Sequence, residues 1–315
     1  MNLKHFLSGH ARQLGTLIGL FVLSAALGAA TPYFLTVSNL LNIAEQTAIV
    51  ATIAVGMTPV IITAGIDLSV GSVLAFAGVV MASALKAGVP APLAALIAMA
   101  TGFSCGGLNG VLITRGHLPP FISTLGMMSV ARGAALVFTE GRPISGFDES
   151  FRAVATSSFY HLPLPVIVML AVYVLAHVVL AKTRFGRYLY AIGGSEEAAI
   201  LSGVPVKRYK TLVYGLCGML SGLAAILLTA RLNSAQPIAG MMYELDAIAA
   251  AVIGGTSLMG GEGTVFGTLV GALIMGVLRN GLNLLGISSF VQQLVIGSVI
   301  ILAVLLDMTL KTRNR

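Results

Sequence analysis

The 315-residue sequence is poor in charge, since Lys, Arg, Asp and Glu together make up only 9% of it. A soluble domain usually carries about 25% charged residues, and these lie almost entirely on its surface. Hydrophobic residues account for 57% of this chain, and glycine contributes 37 further residues. The composition therefore excludes a soluble globular domain and predicts a polytopic membrane protein.

Tryptophan is absent, and cysteine occurs only twice, at Cys105 and Cys217. Both cysteines fall inside apolar runs, where a thiol usually packs as a small apolar group. They indicate neither a disulfide framework nor a metal site.

Catalytic motifs are also absent: no hydrolase elbow, HExxH, P-loop or CxxC pattern occurs. Without a P-loop the chain has no loop to hold nucleotide phosphates, so this chain itself is expected neither to bind nor to hydrolyse ATP. An ion-coupled carrier is expected to bury carboxylates within its spans, yet Glu45, Asp67, Asp246 and Asp307 lie near the ends of apolar runs or at a break. The sequence predicts a chain that is not an enzyme and that holds no cofactor or metal.

Long apolar runs predict an all-α fold with about ten transmembrane helices. Several charge-free runs exceed the roughly 20 residues that span a bilayer, and none shows the short alternating segments of a β-barrel. The first run also resembles a signal peptide, but its charge-free stretch continues to Ala44. The predicted helices cover residues 13–31, 42–62, 70–86, 92–114, 121–139, 163–181, 211–230, 245–257, 264–280 and 290–308 of one domain, 1–315.

The distribution of basic residues predicts the orientation. With the N-terminus inside, 12 of the 18 Lys and Arg residues fall in the segments 1–12, 114–120, 182–210 and 308–315. Cytoplasmic loops carry such an excess, so both termini are expected in the cytoplasm. The net charge of +7 then reflects topology, and no nucleic-acid partner is expected.

Two glycine-rich breaks interrupt the apolar pattern, at residues 65–69 and 256–263. They align at an offset of 196 residues, which pairs Gly65 with Gly261 and indicates a parallel internal repeat. Glycine-interrupted segments at matching positions point to a substrate pathway, although two glycine-rich turns could also resemble each other by chance. The candidate pathway residues here are Gly65, Asp67, Ser69, Ser257 and Gly261.

Arg132 is a further pathway candidate because it lies within the predicted span 121–139. A charge at the centre of a bilayer costs about 2.5–3.5 kcal/mol on the insertion scale, so the guanidinium is expected to face the bundle interior. Two interpretations stay open: a structural clamp on carbonyls or a carboxylate, or a side chain that lines the pathway.

The predicted docking loop, residues 182–210, contains a short helix with a signal at each end. Ser195 suits the N-cap, Glu196 and Glu197 suit the positive end of the helix dipole, and Gly203 suits a left-handed stop. An ordinary ordered loop is the alternative, but isolated helices this short are marginal in water, which favours a docked partner. The candidate docking residues are Ser195, Glu196, Glu197, Ala198, Ala199 and Gly203.

Seven segments carry a family resemblance: 54–58 (AVGMT), 62–72 (ITAGIDLSVGS), 183–188 (TRFGRY), 191–194 (AIGG), 243–250 (YELDAIAA), 254–261 (GGTSLMGG) and 280–286 (NGLNLLG). Through them nearly the whole chain resembles the membrane-spanning permease subunits of bacterial ABC importers for monosaccharides, most closely those for ribose. Relatives for other pentoses and hexoses share much of this pattern.

The resemblance implies a permease that moves ribose or a related monosaccharide into the cytoplasm through the bacterial inner membrane. It implies a second permease copy, in a homodimer or a pseudo-symmetric pair, together with two ABC ATPase subunits inside, a periplasmic sugar-binding protein outside and membrane lipid around the spans. The docking loop resembles the start of the family's ATPase contact, but the closing Ile-x-Leu-Pro is missing, so Gly203 and the two glutamates carry over only as a docking region. The alternative function is a stand-alone facilitator or ion-coupled carrier for a small polar solute.

Overall fold

A computed structural model describes residues 3–313 of the chain, and its side chains are described for residues 14–305. The terminal basic residues that contribute to the predicted orientation lie outside the described side chains. The helices are α1 (Leu3–Ala30), α2 (Val37–Ile62), α3 (Val70–Lys86), α4 (Ala91–Thr114), α5 (Pro120–Thr139), α6 (Glu149–Thr156), α7 (Leu164–Lys182), α8 (Arg184–Gly194), α9 (Glu196–Leu201), α10 (Val206–Leu232), α11 (Tyr243–Ile253), α12 (Val265–Leu284) and α13 (Ser289–Arg313).

Extended structure is limited to four strands of two residues within the described chain: β1 (Ile144–Ser145), β2 (Ser158–Phe159), β3 (Leu162–Pro163) and β4 (Ser234–Ala235). Strand β1 pairs with β4, and β2 pairs with β3, both antiparallel. Neither strand pair nor α6 was predicted, because these elements lie outside the apolar runs: β1, α6, β2 and β3 lie between α5 and α7, and β4 lies between α10 and α11.

Six helices in the described residues are long and apolar enough to cross a membrane, namely α2, α4, α5, α7, α10 and α12. Shorter apolar helical stretches occur at Leu14–Ala30, Val70–Lys86 and Ser289–Leu305. The chain is therefore a polytopic helical membrane protein, as predicted.

The predicted span 245–257 corresponds to α11, which has only 11 residues. It ends at Ile253 because Gly255 adopts a left-handed conformation with φ +92°. The amides of Gly255 and Thr256 then donate to the carbonyls of Val252 and Ala251 at 2.8 and 2.9 Å, which is the Schellman pattern of a helix end. The predicted end at residue 257 is thus four residues too late.

Helices α2 and α10 form the centre of the bundle, since most of their residues are buried, as are most of those of α12, whereas only a minority of the residues of α4, α5 and α7 are buried. Glycines bring α4 and α10 into direct backbone contact. A methyl group on Gly102 would lie 2.9 Å from the carbonyl carbon of Gly218 and 3.1 Å from the amide nitrogen of Gly222. Small residues allow helices to approach closely without a hydrophobic force between them, and here they fix the α4–α10 pair.

Candidate functional site

The first break comprises residues 63–69 in the structure, between α2 and α3. Helix α2 ends in a Schellman motif in which Ala64 is left-handed, with φ +58°, and the amide of Gly65 donates to the carbonyl of Val60 at 3.0 Å. Gly65 has no room for a side chain, because a methyl group there would collide with the Tyr214 hydroxyl. The first break is therefore an ordered helix end packed against α10.

Asp67 and Ser69 organise the rest of this break, and both are buried. The Asp67 Oδ1 accepts hydrogen bonds from the Ser69 amide at 2.9 Å and from the Ser69 hydroxyl at 2.6 Å. Asn109 on α4 donates to the Ser69 Oγ at 3.1 Å, and Ser123 on α5 donates to the Asn109 Oδ1 at 3.3 Å. This chain of side-chain bonds ties the first break to α4 and α5.

The second break comprises residues 254–264, between α11 and α12. Its turn is closed by the Ser257 amide, which donates to the Glu262 carbonyl at 3.0 Å, and by the Gly260 amide, which donates to the Ser257 carbonyl at 3.0 Å. Gly260 and Gly261 have φ +83° and +75°, a conformation that suits glycine. Ser257 is fully buried, so the turn is compact rather than a loose loop.

The two breaks contact each other and the docking loop at one place, which we call the junction and define by Ile62, Tyr190, Gly193, Gly261 and Gly263. The Gly261 amide donates to the Ile62 carbonyl at 2.9 Å, and the Tyr190 hydroxyl on α8 donates to the Gly263 carbonyl at 2.7 Å. A methyl group on Gly193 would collide with the Ile62 carbonyl. The junction thus brings Gly261 beside the end of α2 and places α8 against both.

The docking loop has the predicted short helix, and a second helix, α8, precedes it. The Ser195 Oγ accepts a hydrogen bond from the Ala198 amide at 3.2 Å, which confirms the N-cap. Gly203 has φ +78° and forms the predicted left-handed stop. Glu196 pairs with Lys210 on α10, and Ala199 of α9 is buried.

The last turn of α9 exposes two large apolar side chains, since Leu201 is 90% exposed and Ile200 is also exposed. A cavity of about 520 Å³ opens beside it and is lined by residues from the end of α4, from α9 and from the start of α10. Ile200 belongs both to this exposed apolar pair and to the lining of the cavity.

Arg132 on α5 binds main-chain carbonyls of the non-helical segment between α10 and α11. Its Nη1 donates to the carbonyls of Pro237 and Ala239, at 2.7 and 2.8 Å, and Glu244 lies within electrostatic range. Gly240 in this segment packs closely on the start of α3, where a methyl group on Gly71 would lie 3.1 Å from its carbonyl carbon. The arginine therefore donates hydrogen bonds to two carbonyls that lie outside the helices. This geometry fits the interpretation of Arg132 as a structural clamp.

Of the predicted site residues, the structure brings Gly261 to the junction and packs Gly65, Asp67 and Ser69 beside α10 and α4. Arg132 contacts neither break through its hydrogen bonds, since it donates to the carbonyls of Pro237 and Ala239 instead. Sequence analysis did not identify Tyr190 or Gly193 as site residues, although both lie in or beside motifs that carry the family resemblance. Tyr190 contacts Gly263, about 70 positions later in the chain, and Gly193 contacts Ile62, about 130 positions earlier, and no local pattern predicts such contacts.

The family model described as "Branched-chain amino acid transport system / permease component" matches residues 39–304 of the chain. The ribose import permease protein RbsC of Bacillus subtilis (strain 168) is 50% identical over 305 residues, which are 96% of this chain and 94% of that protein. RbsC of Escherichia coli (strain K12) is 49% identical, over 96% of each chain. The D-allose transport system permease protein AlsC of the same strain is 41% identical, over 94% of this chain and 91% of its own. No solved structure matches the chain.

Proposed function

Since the chain belongs to this family of transport-system permease components, we propose that it is the membrane-spanning subunit of an ATP-driven importer for ribose or a related monosaccharide. The observation that carries the proposal is about 50% identity to ribose import permeases over nearly the full length of both chains. The family description names branched-chain amino acids, but the relatives at 41–50% identity are named for ribose and D-allose, which favours a sugar. The chain is a multi-pass protein of the bacterial inner membrane.

The proposed assembly contains two copies of this permease, ABC ATPase subunits on the cytoplasmic side and a sugar-binding protein on the periplasmic side. Both termini and the docking loop lie in the cytoplasm, in keeping with the excess of basic residues in those segments. Ten helices belong to the membrane: α1 to α5, α7 and α10 to α13. Helix α11 rises only about 16 Å, roughly half of the ~30 Å hydrocarbon core, so that it crosses only part of the membrane.

The ATPase docks on α9 and the cavity beside it. Three features support this position: the capped ends hold α9 in one conformation, its outer surface exposes Ile200 and Leu201, and Glu196 and Glu197 give its first turn a negative charge.

Movement of the docking loop reaches the breaks through the junction. Helix α8 is followed directly by Ser195 and α9, so a displacement of α9 by the ATPase pulls on Tyr190 and Gly193. These residues contact the second break and the end of α2, respectively. The junction is therefore the site at which nucleotide-driven motion opens the proposed pathway along the two breaks.

Reconstitution tests the proposal. Proteoliposomes that contain the permease, its ATPase and its binding protein are expected to accumulate ribose or D-allose only with ATP inside and the loaded binding protein outside. Proteoliposomes that contain this chain alone are expected to be inactive. Sugar flux through the chain alone, with or without an ion gradient, would contradict the proposal and favour the facilitator or ion-coupled carrier.

A further inference from the structure

A strained aromatic turn lies at the tip of the β2–β3 hairpin. Ser158 pairs with Pro163, and Phe159 pairs with Leu162, which leaves Tyr160 and His161 as the turn. Both have positive φ, +47° and +67°. Two-residue turns of this kind strongly favour Asn-Gly or Gly-Gly, and a bulky residue with φ > 0 is an outlier that calls for an explanation. The sequence thus holds an aromatic residue where the backbone favours glycine.

Two aromatic rings lie on the surface at this turn. Phe159 is 67% exposed and Tyr160 is 84% exposed, and their rings pack edge to face with centroids 4.7 Å apart. The base of the hairpin is fixed, because Pro163 is buried and the Leu164 amide donates to the Ser157 carbonyl at 2.9 Å. The aromatic pair is therefore presented from a rigid base.

Helix α7 defines the depth of this tip in the membrane, because it begins at the residue after β3. Its 19 residues correspond to about 28 Å, which matches the ~30 Å hydrocarbon core. Its surface exposes Val174 and Leu175, while Tyr173 binds the Ala51 carbonyl of α2 at 3.0 Å and holds the opposite face in the bundle. The start of α7, and the tip beside it, therefore lie at the boundary between acyl chains and headgroups.

The chemistry of the tip fits lipid better than a protein. Residues 153–181 contain no Asp, Glu, Lys or Arg, whereas a docking surface for a soluble protein usually uses complementary charge. Tyr is enriched at membrane interfaces, where its ring meets the acyl chains and its hydroxyl meets water and headgroups. We propose that the β2–β3 hairpin is an interfacial anchor that inserts Phe159 and Tyr160 among lipid headgroups at the end of α7 opposite the docking loop.

The absence of tryptophan from the chain allows a direct test with the Tyr160→Trp variant of the full-length permease in lipid nanodiscs. The fluorescence of this single tryptophan is expected to be quenched by lipids that are brominated near the glycerol end of the acyl chain. Iodide, a quencher dissolved in the water phase, is expected to have little effect. Two matched variants provide reference values of quenching for a tryptophan in lipid and for one in water. Leu175→Trp reports the lipid-facing centre of α7, with strongest quenching by bromine in the middle of the chain, and Leu201→Trp reports a water-exposed position on α9.

Three outcomes would overturn the anchor. Iodide quenching of Tyr160→Trp as strong as that of Leu201→Trp, without quenching by brominated lipid, would place the tip in water. Protection from iodide without lipid quenching would place it against a protein, either the second permease copy or an added binding protein. Strongest quenching by mid-chain bromine, as in Leu175→Trp, would place it in the acyl region rather than at the interface.

Discussion

The Tyr190 hydroxyl is the sharpest test of the link between the docking loop and the breaks. Tyr190→Phe removes the donor to the Gly263 carbonyl, 2.7 Å away, and keeps the ring. Burial raises the pKa of Tyr190 above its ordinary value, so the hydroxyl keeps its proton and donates at neutral pH. Loss of such a bond costs about 1 kcal/mol at a partly buried site, and this corresponds to a roughly fivefold change in an equilibrium constant.

The measurement is the number of sugar molecules transported per ATP hydrolysed in proteoliposomes of the complete importer. Tyr190→Phe is expected to lower this ratio while assembly stays normal, because α9 can then move without pulling the second break. The matched control is Tyr188→Phe on the same helix, which keeps the edge-to-face contact of its ring with Tyr209 at 5.1 Å and should leave the ratio unchanged. Equal ratios for the two variants and the unmodified permease would refute transmission through this bond.

The remaining predictions concern the docking region, the breaks and the intramembrane arginine. Reversal of both Glu196 and Glu197 to Lys is expected to uncouple uptake by removing the favourable charge at the start of α9; normal uptake with normal assembly would count against docking there. Cysteine at Ser69 or Ser257, in a background without the two native cysteines, should react with a water-soluble thiol reagent in at least one nucleotide state, whereas inertness in every state would assign the breaks to packing. Arg132→Leu should lower thermal stability by about 1–3 kcal/mol because it leaves two carbonyls unpaired, while molecules that assemble still transport. Slow uptake by a normally assembled Arg132→Lys variant would instead place the side chain in the pathway.

Helices whose ends coincide with a change from apolar to polar residues could be predicted closely from the sequence. The predicted helix 70–86 coincides with α3, Val70–Lys86, and 92–114 differs from α4 by one residue. Helix α11 could not be placed as well, because Gly254 and Gly255 end it inside an apolar run. Hydrophobic composition predicts which residues avoid water, but backbone conformation decides where a helix stops.

In the candidate site, local contacts could be predicted from the sequence, whereas long-range contacts could not. The Ser195 cap and the Gly203 stop involve residues within a few positions of each other, and the sequence predicted both. The junction joins Ile62 to Gly261, and only the weak repeat between the two glycine-rich breaks hinted that these segments are related. Its third member, α8, could not be predicted, because its contacts depend on how the whole bundle packs.

The contacts of the junction also limit how it can open. Exchanging a hydrogen bond for one to water changes stability by only about 0.5–1.5 kcal/mol, so that opening the Gly261–Ile62 and Tyr190–Gly263 bonds toward water costs on the order of 1–3 kcal/mol. In hydrocarbon each unpaired backbone group costs several kcal/mol, and the same opening would be prohibitive. The breaks can therefore separate only toward a water-filled cavity between protein surfaces. Because the second break must admit water when it moves, a reactive cysteine at Ser257 would report junction opening itself, and its reactivity should fall in Tyr190→Phe if α8 no longer pulls that break open.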